Sequence, residues 1–127
     1  MIGAAIVQML ADPGMVALVG SRVYPVRLPA EPTLPAIAYQ IVTENRAQAP
    51  AGRLPWVKSL VQLSVVGATY DEAHAVADAL RQVLDRRRGV FAGIEVRGVV
   101  DEGAHDEGDD AGPHLVATTW RIHWKET

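Results

Sequence analysis

Apolar positions along this chain recur with two periods, and the change from one to the other predicts its elements. Ile2, Ile6, Met9 and Leu10 fall at helical spacing, which predicts a short amphipathic helix over residues 2–11. Asp12-Pro13 then reads as a cap ahead of a proline in a first helical turn, and a brief second turn through 16–19 should end at Gly20. Residues 22–24 are β-prone, and Pro25 limits them to a short or edge strand. Pro25, Pro29, Pro32 and Pro35 force an extended connection.

The period then becomes two. Ile37, Tyr39, Ile41 and Thr43 alternate with Ala38, Gln40, Val42 and Glu44, the pattern of a strand. Residues 45–55 lack periodicity and hold two prolines and a glycine, so they predict a long loop. Over 56–66 a second strand alternates Val57, Ser59, Val61, Leu63 and Val65 with Lys58, Leu60, Gln62, Ser64 and Val66. Apolar residues on both sides predict a central position.

The strongest helical signal runs from about 70 to 87. Thr69 with Glu72 fits a capping box, and Ala73, Val76, Ala77, Leu80, Val83 and Leu84 line one face. Arg86, Arg87 and Arg88 close the segment, where cations interact favourably with the helix dipole, and Gly89 is the expected stop. Two further strands, 94–100 and 115–124, flank an acidic loop. In the last, Val116, Thr118, Trp120, Ile122 and Trp124 share a face. These elements predict one α+β domain over 1–127. Its mixed or mostly antiparallel sheet should have about four to five strands, packed by an N-terminal helix and one long helix (about 70–87).

Composition narrows the class. A chain of 127 residues with 49% apolar and 21% charged side chains is a single globular domain. With no cysteine, disulfides, thiolate zinc sites and thiol nucleophiles are excluded. No basic residue precedes Arg22 and Asp12-Pro13 interrupts the apolar N-terminal run, which argues against a signal peptide; no membrane partner is expected. The net charge of -3 conceals an asymmetry. Asp101, Glu102, Asp106, Glu107, Asp109 and Asp110 lie in one stretch without a base, which leaves nine acids against twelve bases elsewhere.

Catalytic chemistry is not evident. Ser21, Ser59 and Ser64 lie in no G-x-S-x-G elbow, and neither phosphate-binding glycine motif occurs. The acidic loop has hard oxygen donors, with His105 and His114 nearby, but its spacing matches no EF-hand. His74 and His123 form no HExxH pair. The arginines at 86–88 lack interleaved aromatics and read as helix-end charges rather than a nucleic-acid patch. No catalytic residue, metal ligand or cofactor is assigned.

Several phrases in order carry a resemblance: ADPGMVALVGSRVYP (11–25), PAEPTLPAIAYQ (29–40), ATYDEAHAVADALRQVLD (68–85), GIEVRG (93–98) and TWRIHW (119–124). The chain resembles the tail-completion, or tail-terminator, family of long-tailed bacteriophages, prophages and gene transfer agents. The resemblance implies a virion protein without enzyme activity, assembled in the bacterial host cytoplasm as a ring, typically of six subunits, at the head-proximal end of the tail tube. Such a ring stops tube polymerisation and joins the tail to the head, with DNA passing through the lumen. Its partners are its own copies, the tail tube protein and a head-completion or connector protein. For contacts with the tube or a neighbouring subunit the candidates are Arg46, Arg53, Leu54, Trp56, Arg86, Arg87 and Arg88. The six acids of 101–110 are candidates for a lumen-facing loop that repels phosphates. The rival readings are a head-side connector or other neck ring component, a metal-dependent enzyme built on the acidic loop, and a host-encoded binding module.

Overall fold

The computed structural model describes residues 2–108 and 113–126. Among the described residues nine elements follow one another: α1 (Ile2–Met9), α2 (Pro13–Val19), β1 (Val23–Pro25), β2 (Ala36–Ala49), β3 (Gly52–Gly67), α3 (Tyr70–Leu84), β4 (Gly89–Phe91), β5 (Ile94–Glu107) and β6 (His114–Lys125). The strands form one sheet in the order β1-β2-β3-β6-β5-β4, curled into a half-barrel. Only the β1–β2 pair is parallel; the others are antiparallel.

The expected four-to-five-stranded sheet with one long helix is therefore corrected. Among the described residues about half are strand, in six strands, and about a quarter helix, in three short pieces. The extra strand is β4, which starts at the expected helix stop, Gly89, and two segments expected as loops lengthen β2, β3 and β5. Residues 45–55 continue the flanking strands, with only Pro50 and Ala51 in a turn. Pro55 is accommodated because the ladder is irregular there: Arg46 lies opposite Val57 but Gln48 opposite Arg53, so Pro55 needs no N–H for that pairing. Its carbonyl accepts from the Glu126 amide instead (2.7 Å). The acidic stretch likewise belongs to β5 as far as Glu107, opposite Leu115 of β6. Asp and Gly are poor strand formers in isolation, and pairing with a strongly β-prone neighbour overrides that preference.

The long helix is shorter than its pattern suggested. Thr69 caps it by accepting from the Glu72 amide (3.1 Å), while the Glu72 carboxylate reaches back to the Ala68 amide (2.9 Å). It ends at Leu84 rather than at about 87, because Arg86 takes a left-handed conformation (φ 60°) and its amide donates to the Val99 carbonyl (2.9 Å). Its six expected core residues are all buried.

All three helices serve one face of the sheet. Val57, Val61, Leu63 and Val65 of β3, and Val116, Trp120, Ile122 and Trp124 of β6, are buried there with Ile2, Ile6, Met9, Met15 and the α3 face. Each tryptophan buries roughly 200 Å², worth about 5 kcal/mol of gross transfer free energy. Both indole donors are satisfied inside this core. Trp124 Nε1 donates to Ser59 Oγ (2.9 Å), and Trp120 Nε1 to Thr118 Oγ1 (2.9 Å), whose own hydroxyl donates to the Leu63 carbonyl (2.8 Å). Among the described residues, no single helix is long and apolar enough to cross a membrane.

Candidate functional site

The strand register gives the sheet two distinct ends. Trp56 pairs with Lys125 at one end of the β3–β6 ladder, and Gly67 pairs with His114 at the other. The β2–β3 turn therefore projects at the Lys125 end, and β5 and β6 approach their connection at the opposite end. Much of each arm is uncovered: β2 is buried only over its first three residues, and β5 is exposed from Val100 onward.

Two strand edges are also open. β1 pairs only with Ile37, Ala38 and Tyr39 of β2, and β4 only with Ile94, Glu95 and Val96 of β5. Among the described residues, the edges of β2 beyond Tyr39 and of β5 beyond Val99 have no strand partner.

On the sheet face away from the helices, the Lys125 end is basic. Lys58, Arg97, Gly98, Val100, Arg121 and His123 line one shallow cleft. The Arg97 guanidinium lies 4.5 Å from the Trp56 ring centroid, and His123 packs 5.3 Å from the same ring. Partial burial, then Arg97 and Lys58, push the His123 imidazole below its ordinary pKa, because each disfavours a further positive charge. Of this cluster only Trp56 was a candidate from the sequence. Lys58, Arg121 and His123 occupy the positions alternating with the buried ones, so a known register would have found them; Arg97 sits at a bulge that hides the alternation.

The remaining contact candidates lie toward the same end. Arg46 donates to both Glu126 oxygens (2.8 and 3.3 Å) and to Glu44 (3.3 Å), and Glu126 above all raises its pKa. Leu54 is exposed, and the Arg53 side chain lies outside the described residues. Arg86 and Arg88 are exposed, and Arg88 lines a cleft with Arg97. Arg87 lies over the Phe91 ring (5.2 Å) and 3.8 Å from Asp12.

The acidic candidates are less isolated than their sequence suggests. Asp101 lies 3.8 Å from Arg81, Glu102 lies 3.3 Å from Arg121, and Glu107 meets His105 at 2.9 Å. Asp109 and Asp110 lie outside the described residues.

Asp106 occupies a different setting. His74 Nε2, from the first turns of α3, is 2.5 Å from its Oδ1, and His114 Nε2, from the start of β6, is 2.9 Å from the same atom. The hydrogen bond from His114, and then that from His74, hold the Asp106 carboxyl below the usual range. Tyr70 packs against both imidazoles, with centroids 4.1 Å and 4.9 Å away. The sequence placed His114 near this acidic stretch, but the 32-residue separation gave no hint that His74 joins it.

Uncovered strand arms and charged sheet ends, built around a mostly apolar core, define a component made for assembly. The family is specific: residues 4–123 match the model of the tail completion protein gp17 family, and the chain belongs to that family. It is a structural protein of the virion tail and not an enzyme. A chain from the virion of a native gene transfer agent particle shares 21% identity, with a TM-score of 0.71 over 97% of this chain and 92% of that one. A second solved structure aligns at 18% identity with a TM-score of 0.66, over 99% of this chain and 94% of the other. At these identities the likeness establishes a shared fold. No curated protein matches the sequence.

Proposed function

We propose that the protein forms a closed ring, typically of six subunits, at the head-proximal end of the tail tube. There it ends tube polymerisation and joins the tail to the head, with DNA passing through the lumen. One observation carries this reading: each subunit has two different open strand edges, on β2 and on β5, at opposite margins of one sheet. Open edges are templates for strand addition, which monomeric proteins usually cover. An edge of one kind can meet the other kind on the next copy, a head-to-tail contact that closes when the rotation allows.

The two ends of the sheet then face different partners. The arginine-bearing end, with Arg46, Arg53, Leu54, Trp56 and the arginines at 86–88, is the surface for the tube or for a neighbouring subunit. Asp101, Glu102, Asp106 and Glu107 face the lumen, where carboxylates repel phosphates. The arginine partners of Asp101 and Glu102 make this repulsion weaker than four free charges would give.

Cryo-electron microscopy of the protein mixed with growing tail tubes tests the reading. A ring at one tube end, with growth stopped, is expected; decoration along the sides, or rings found only on head connectors, refutes it. Val42, 48% exposed and without a partner in the β2–β3 register, supplies the edge test. Val42→Lys should leave the fold intact and abolish ring closure, because lysine on an open edge opposes strand addition.

A further inference from the structure

We propose that His74, Asp106 and His114 form a binding site for a divalent transition metal ion of the zinc class. This inference stands independently of the ring. Three elements each contribute one donor, and the two imidazole Nε2 atoms and a carboxylate oxygen all lie within 4.8 Å of one another. Both imidazole Nε2 atoms already approach the same Oδ1. Zinc bonds of about 2.0–2.2 Å at a tetrahedral angle separate ligand atoms by roughly 3.3–3.5 Å. Seating the ion therefore requires the imidazoles to retreat from the carboxylate by less than about 1 Å. The side chains have room to do so, since they are 28%, 48% and 18% exposed.

The donor chemistry selects the ion. Two imidazoles with one carboxylate suit zinc, copper, nickel or iron(II), whereas magnesium and calcium prefer all-oxygen sets. Tyr70 packs on both rings and limits the rotamer freedom lost on binding. Three ligands leave a further coordination position open. Binding requires the Nε2 lone pairs, so each imidazole must carry its proton on Nδ1, whereas the metal-free hydrogen bonds place it on Nε2. An occupied site clamps the uncovered part of β5 to α3 and β6, which fixes an otherwise open strand.

The test uses untagged, chelator-stripped protein titrated calorimetrically with Zn²⁺ near neutral pH. Saturable binding of one ion per chain is expected, with at least about tenfold weaker affinity in His74→Ala, His114→Ala and Asp106→Asn. His105→Ala is the control; its partner is Glu107, so its affinity should match the parent. Co²⁺ added to the unsubstituted chain gives a visible absorption band that zinc abolishes, a readout independent of any variant's folding. Absence of saturable heat and of the cobalt band overturns the proposal, and so does zinc affinity unchanged in the three variants. Displacement of zinc by equimolar Mg²⁺ or Ca²⁺ overturns the assignment of ion class.

Discussion

Thr118→Val is the sharpest test of how the core is held. Valine matches threonine in shape, and the position is 1% exposed, so packing changes little. The hydroxyl, however, links two groups: it donates to the Leu63 carbonyl and accepts from the Trp120 indole. Its removal leaves a buried N–H without an acceptor, which costs about 1–3 kcal/mol, and deletes a hydrogen bond worth about 1 kcal/mol. A total of about 2–4 kcal/mol is expected. At about 2.1 cal/mol/K per residue, 127 residues give an unfolding entropy of about 0.27 kcal/mol/K, so Tm should fall by about 7–15 °C. Thr118→Ser keeps the hydroxyl, loses a methyl and should cost about 1 kcal/mol, or about 4 °C. Thermal and urea unfolding followed by circular dichroism measure both. If valine and serine variants agree within about 0.5 kcal/mol, the indole is not left unpaired and the reasoning fails.

Gly67→Ala should destabilise by about 1–3 kcal/mol, because its Cβ would lie 2.6 Å from the Ala73 backbone nitrogen; a urea midpoint equal to the parent's would contradict that contact. Thr69→Ala removes the α3 cap and should cost about 1 kcal/mol, with Thr69→Ser close to the parent in the same melts. His123 gives a pH signature. Its folded pKa is lowered, chiefly by burial and then by Arg97 and Lys58, so between the folded value and the ordinary 6.5 the unfolded chain binds more protons. Stability attributable to His123 is thus present above pH 6.5 and is lost as pH falls through the folded value; His123→Gln should remove that slope, and an unchanged slope would assign it elsewhere.

Local patterns were read well where one face of an element is buried. The α3 stripe and the alternation from Val116 to Trp124 follow from period alone, because burial selects the same face at every turn or second residue. Arms and edges were not legible. At Pro50, Gly52 and Pro55 composition spells a loop, yet the strands persist because they pair with one another across a tight turn. Residues 101–107 look solvated for the same reason: their strand exists through β6, not through their own propensity. The functional groupings depend on register, which no single segment encodes. Arg97 over Trp56, and His74 with Asp106 and His114, meet only after the strands have been ordered.

The placement of the two arms has a mechanical consequence. β3 leaves the β2–β3 turn and β6 leaves the opposite connection, and the two run side by side through twelve paired residues, from Trp56 with Lys125 to Gly67 with His114. Tension applied between the two tips pulls these strands along their lengths in opposite directions. The load is then borne in shear by all the rungs together, instead of peeling them apart one at a time. A subunit strung in this way resists stretching along the axis that joins its two ends.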